Sequence, residues 1–185
     1  MDVNVLLRTA VDTGGAGDYR RALDMLNDAE KASPGERRIY LMRGYFLFQM
    51  GLFDDALADY DRAIKLNPDA YLPWYRKAEC LFGLNRLDEA LQCVDSAVGT
   101  NPDDYRIWEL GGRVLALMDR VDDALTAFEQ ALKLNSKADF SWSGRGYALV
   151  VKGSYGEALE CAKKAAELNP DVDAYRRQVE LIKSF

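Results

Sequence analysis

One phrase recurs through this chain at a fixed interval. GDYRRALDMLNDAEKASP begins at Gly17, GLFDDALADYDRAIKLNP at Gly51, NRLDEALQCVDSAVGTNP at Asn85, DRVDDALTAFEQALKLNS at Asp119 and GSYGEALECAKKAAELNP at Gly153, each 34 residues after the one before. A period of this length marks a supersecondary unit that cannot bury its apolar face alone and buries it against its own copies. The interval therefore limits the fold before any single element is considered.

Ahead of each phrase stands a second pattern: Leu6-Ala10-Thr13, Tyr40-Gly44-Leu47, Trp74-Ala78-Leu81, Trp108-Gly112-Leu115 and Trp142-Gly146-Leu149. Steps of four, three and seven put these residues on one face of a helix. Within the phrase Ala56, Tyr60 and Ala63, or Ala124, Phe128 and Ala131, keep the same intervals and predict a second helix. A Gly or polar residue followed by acids separates the two, and Asn-Pro, or Ser33-Pro34 and Asn135-Ser136 once each, closes the unit. The repeats run over residues 3–36, 37–70, 71–104, 105–138 and 139–172. Residues 173–185 carry Tyr175, Val179, Ile182 and Phe185 on one stripe and predict a capping helix over the last open edge. Residues 1–185 are thus expected to form a single domain.

Five such units in register are similar to the tetratricopeptide repeat (TPR) family, whose 34-residue helix pair carries this aromatic, small-residue and proline pattern. The resemblance implies an all-α fold, a right-handed α-solenoid of stacked antiparallel helix pairs, with the first helices lining the concave surface of a superhelix. It also implies a non-catalytic protein–protein interaction scaffold. Two departures are local: Thr13, Gly14 and Gly15 weaken the end of the first helix, and Ser136 replaces a closing proline.

Composition points the same way. The formal charge is −6, with a pI near 4.8, which disfavours phosphate backbones and anionic lipid. There is no histidine, so the commonest general base and metal ligand is missing. Cys80, Cys93 and Cys161 form no CxxC pair and suit reduced, buried thiols. No apolar run approaches the ~20 residues that span a bilayer, and the N-terminal stretch lacks a signal peptide's positive start. The expectation is a soluble, cytoplasmic protein with no catalytic centre, cofactor or metal. The pairs Asp54-Asp55, Asp88-Glu89 and Asp122-Asp123 open second helices, where the dipole favours negative charge, and adjacent side chains diverge by about 100°. The GGAG run at Gly14 lacks the Lys-Ser/Thr of a phosphate loop and reads as a turn.

Function is then expected in residues that the repeat does not require. If positions four, seven, eight and eleven of each unit face the stack, positions two, six, nine and thirteen face away. That face carries Arg8, Arg38, Met42, Tyr45, Gln49, Arg76, Glu79, Arg106, Leu110, Arg113, Phe140 and Tyr147, with five arginines against one glutamate. Arg and Tyr are enriched where binding energy concentrates. A complementary partner is a protein segment bearing carboxylates and bulky apolar side chains, held in the concave groove. The Lys and Asn of the clamp by which related domains hold chaperone tails are absent from positions five and nine, so no such tail is expected. Nucleic acid and membrane are not expected partners. A second reading is a self-associating assembly protein acting through end-to-end or repeat-five contacts.

Overall fold

The computed structural model describes residues 2–185, and among them helix is the only regular element. The helices are α1 (Val3–Gly15), α2 (Tyr19–Ala32), α3 (Arg37–Gln49), α4 (Phe53–Leu66), α5 (Tyr71–Gly83), α6 (Leu87–Thr100), α7 (Tyr105–Leu117), α8 (Val121–Leu134), α9 (Asp139–Val151), α10 (Tyr155–Leu168) and α11 (Asp173–Ile182). They fall into two compact units, Met1–Arg86 with α1 to α5 and Leu87–Phe185 with α6 to α11.

The first residue of every recurring phrase has a backbone reason to be where it is. Gly17, Gly51 and Gly153 have φ of 89°, 76° and 80°, and Asn85 and Asp119 have φ of 57° and 59°. These are the residue types that enter the left-handed region most cheaply. The turn lets the next amide reach back over the end of the first helix. Leu52 N–H donates to the carbonyl of Leu47, Arg86 to that of Leu81 and Arg120 to that of Leu115, each at 2.9 Å. These are Schellman closures, which satisfy carbonyls that a helix end leaves unpaired.

The aromatic residue of each first helix has a polar task as well as an apolar one. The hydroxyl of Tyr40 donates to the carbonyl of Pro34 at 2.7 Å, and the indole N–H groups of Trp74, Trp108 and Trp142 donate to the carbonyls of Pro68, Pro102 and Ser136 at 2.9, 2.7 and 2.9 Å. Each bond spans six residues and ties a first helix to the preceding turn. Because the acceptor is a carbonyl, Ser136 supplies it as well as proline does.

Helix spacing is set by matched sizes. A Cβ on Gly44 would stand 2.6 Å from the Tyr60 ring, and one on Gly112 would stand 2.8 Å from Phe128. In the first pair the facing residues are Ala10 and Leu26, both fully buried. In the last, Ala162 is too small to fill the space at Gly146, and the amide of Gln178 from α11 comes within 3.0 Å of the Cβ that glycine lacks. α1 runs through Gly15 in spite of the weak end that Thr13, Gly14 and Gly15 give it, and the missing side chain at Gly14 makes room for the Phe46 ring.

Two polar devices join neighbouring helices. Arg43 on α3 donates through Nε and Nη2 to both oxygens of buried Asp59 on α4, each at 2.7 Å, and through Nη1 to Asn27 and Glu30 on α2 at 2.9 and 2.5 Å. The bidentate pairing with Asp59 raises the Arg43 pKa further, and burial, although it works against Glu30's charge, is outweighed by Arg43, which holds the Glu30 carboxyl below its ordinary value. At the other end α11 is fastened by polar bonds. Ser143 Oγ donates to Gln178 Oε1 at 2.8 Å, Gln178 Nε2 donates to the Ser143 carbonyl at 3.0 Å, and Tyr175 Oη donates to Asp139 at 3.1 Å.

Candidate interaction face

The outward residues of α1, α3 and α5 meet in Met1–Arg86 at a pocket of about 400 Å³. Val11, Met42, Tyr45, Leu72 and Arg76 line it from the first helices, with Tyr19 and Phe46 at its base. Tyr19 and Phe46 stack at 5.9 Å, and Tyr45 leans on Phe46 at 5.7 Å. Val11 and Tyr45 remain exposed, at 44% and 38%. Large apolar side chains left open around a cavity of this size are what an interaction site requires.

Arg76 borders the pocket in a fixed pose. Its guanidinium lies 5.3 Å from the centre of the Tyr45 ring and 5.7 Å from that of Tyr75, and Nη1 donates to Glu79 Oε2 at 2.8 Å. Tyr75 Oη donates to the other Glu79 oxygen at 2.9 Å. Two aromatic faces and one carboxylate thus hold a cation beside an apolar cavity.

The charge of the face is lower than five arginines imply. Arg38 donates from Nε and Nη2 to both oxygens of Glu36 at 2.9 and 2.8 Å, and Arg106 donates in the same way to Asp104 at 2.9 and 2.6 Å. Both acids are also N-caps, accepting the backbone N–H of Arg38 and of Arg106 at 3.1 Å. The hydrogen bonds from Arg38 pull the Glu36 pKa down to about 2. These caps sit at the end of the preceding unit, outside positions two, six, nine and thirteen, which is why the face read from those positions alone is too positive.

In Leu87–Phe185 the corresponding face is more apolar. Leu117, Phe140, Tyr147 and Val151 are 60%, 45%, 50% and 67% exposed. Arg113 lies 4.9 Å from the centre of the Phe140 ring. Leu110 does not join them: it is 2% exposed and packs inward, so the sequence-derived face is corrected at that residue. On α7 the neighbouring Glu109 is half-buried and accepts a hydrogen bond from Ser141 Oγ at 2.6 Å. Burial raises its pKa above the ordinary carboxylate value.

Arg8 and Gln49 are exposed. Tyr19 and Phe46 were missed by the periodic reading because Tyr19 belongs to a second helix and Phe46 occupies a core position. Among the described residues no group of His, Cys, Asp and Glu is arranged to hold a metal ion, and no helix is long and apolar enough to cross a membrane. All three cysteines are free and buried, and burial raises the thiol pKa of Cys80 to about 11.

Helix pairs closed by left-handed turns, with matched small and large residues between them and exposed side chains on the first helices, define a helix-repeat protein. The chain belongs to the Tetratricopeptide repeat family: one profile of that description matches residues 7–52 and 110–173, and another matches residues 47–114. Among the described residues the eleven helices make five repeats and a C-terminal capping helix.

Solved structures agree on the fold. MamA of Desulfovibrio magneticus RS-1 superposes with a TM-score of 0.83 at 21% identity, over 92% of this chain and 97% of that one. A thermophilic TPR protein of Thermus thermophilus matches at 0.77 and 22% identity over 100% of both chains. YrrB, described as a TPR protein with an unusual peptide-binding site, matches at 0.79 and 20% identity over 100% of this chain and 93% of its own. In sequence, 84 residues are 33% identical to the outer membrane protein assembly factor BamD of Caulobacter vibrioides, a stretch that is 42% of this chain and 28% of that protein's length.

Proposed function

We propose that this protein is a non-catalytic scaffold that holds a segment of another protein against the outward face of its first helices, with the pocket between Val11, Met42, Tyr45 and Arg76 as the main anchor. The observation that carries the reading is that pocket: apolar walls, an aromatic base and a cation in a fixed pose. The family supports it at the coarse level, since tetratricopeptide domains are generally protein-interaction modules. YrrB, a fold relative, carries a peptide-binding site by its own description, which agrees with a peptide-like ligand here. An apolar side chain of the partner fills the pocket. Three free buried thiols support a reducing compartment such as the cytoplasm.

The test is affinity capture from source lysate with mass spectrometry, comparing the native chain with the double variant Met42→Ala/Tyr45→Ala. The expected outcome is a small set of proteins retained by the native chain and lost from the variant, while helical circular dichroism is unchanged. Equal retention by both sinks the assignment of the face.

A further inference from the structure

Arg76 and Glu79 differ from the other arginine–carboxylate pairs of the face in one respect. Glu36 and Asp104 cap α3 and α7, accepting backbone N–H groups that would otherwise lack a partner, so their bonds to Arg38 and Arg106 come with a structural duty. Glu79 lies mid-helix in α5, three residues after Arg76, and caps nothing. Its carboxylate is committed to the guanidinium and to the Tyr75 hydroxyl. Arg76 lines the pocket, whereas Glu79 is not among the residues that do.

We propose that this pocket selects segments in which an Asp or Glu lies within a few positions of a bulky apolar residue, and that Glu79 sets the strength of that selection by competing for Arg76. The inference rests on the reading of the face as a protein-binding site and adds the residue that receives the acid, the spacing of acid and apolar residue, and the competitor within the chain. The guanidinium is already oriented by Tyr45 and Tyr75, at 5.3 and 5.7 Å, so a ligand carboxylate meets a cation whose side-chain freedom is largely spent. The Arg76 and Glu79 side chains are 33% and 26% exposed, so an incoming carboxylate can reach the guanidinium and exchange for Glu79, one carboxylate replacing another. The apolar residue beside the acid then fills the cavity between Val11, Met42 and Tyr45. Glu79 acts as a stand-in for the ligand: it keeps Arg76 in place when the pocket is empty and gives it up only to a segment that brings a carboxylate of its own.

The experiment uses a phage-displayed random dodecapeptide library selected against the full chain, then synthetic versions of the selected peptides in fluorescence anisotropy. Selected peptides are expected to carry Asp or Glu within about three positions of Leu, Phe or Trp. Glu79→Gln should bind them several-fold tighter and Arg76→Gln at least tenfold weaker, both with unchanged circular dichroism. Apolar peptides without an acidic bias, a preference for Lys or Arg, or equal affinity for Glu79→Gln would overturn the inference. If binding is still abolished by Met42→Ala/Tyr45→Ala, the proposed face survives that failure. Selected peptides indifferent to Met42→Ala/Tyr45→Ala overturn the face itself. A selection that yields no peptide overturns the inference, and the lysate capture then decides the face independently.

Discussion

Gly44 and Tyr60 face each other so closely that a Cβ on the glycine would lie 2.6 Å from the ring. Because Tyr60 is 1% exposed and cannot retreat, Gly44→Ala is expected to cost about 1–3 kcal/mol through overpacking. The first repeat shows the alternative solution, with Ala10 opposite Leu26. Adding Tyr60→Leu to Gly44→Ala should therefore recover part of the loss. Urea denaturation of the three proteins checks this: a double variant no more stable than Gly44→Ala would mean that the paired sizes do not set the spacing.

Asn85 and Asp119 hold the left-handed turn that Gly17, Gly51 and Gly153 hold elsewhere. Asn85→Gly and Asp119→Gly should each raise stability by a few tenths of a kcal/mol to about 1 kcal/mol, the relief of the Cβ penalty minus the added freedom of the unfolded chain. Asp119→Val should lower it by about 2 kcal/mol, since a β-branched residue at positive φ is a true outlier. Thermal midpoints in an otherwise native chain report both signs.

Trp142 donates its indole N–H to the Ser136 carbonyl at 2.9 Å. Trp142→Phe keeps the ring and removes the donor, with an expected cost of about 1 kcal/mol. Ser136→Pro keeps the carbonyl and restores the residue found at Pro34, Pro68, Pro102 and Pro170. It should be neutral or stabilise by up to about 1 kcal/mol, through a stiffer unfolded chain. A destabilised Ser136→Pro protein would show that the backbone at that turn differs from its counterparts.

Two carboxylates give opposite pH signatures. The Glu36 pKa is lowered to about 2 by its hydrogen bonds from Arg38, so its stabilisation is fully present above the ordinary glutamate range and is lost as pH falls through it towards 2. Glu36→Gln should lower stability at pH 7 and remove that part of the acid loss. Burial raises the Glu109 pKa, so the fold is favoured while Glu109 is protonated and loses that advantage as pH rises through the raised value. Glu109→Gln, which can still accept from Ser141, should stabilise at pH 7 and make little difference below pH 4. Denaturation midpoints from pH 3 to 8 separate the two.

The period of 34 made the helix pairs legible, because stacking requires the same small, large and aromatic residues at the same places in every copy. The residues opening each phrase were visible as punctuation, and positive φ explains why Asn85 and Asp119 substitute for glycine there. The face was legible only in part. Its pattern pointed outward at Met42, Tyr45 and Arg76, which line the pocket, and at Phe140 and Tyr147, which are exposed, since helical spacing fixes direction. It did not reveal that Leu110 turns inward, which depends on how α7 is packed by its neighbours. It also missed Glu36 and Asp104, because an N-cap carboxylate reaches a residue two positions on by a local geometry that a helical wheel does not describe. Tyr19 and Phe46 meet through tertiary packing alone.

The central claim is that a partner segment sits in the pocket beside Met42 and Tyr45. It is tested most directly by placing the photo-crosslinking residue p-benzoylphenylalanine at Met42 and, as a control, at exposed Lys65 on α4, then irradiating each protein in source lysate. Crosslinked peptides that come from Met42 and not from Lys65, and that map to one short segment of a partner, are the expected result. Crosslinks from Lys65 alone, or the same proteins from both positions, would contradict the account.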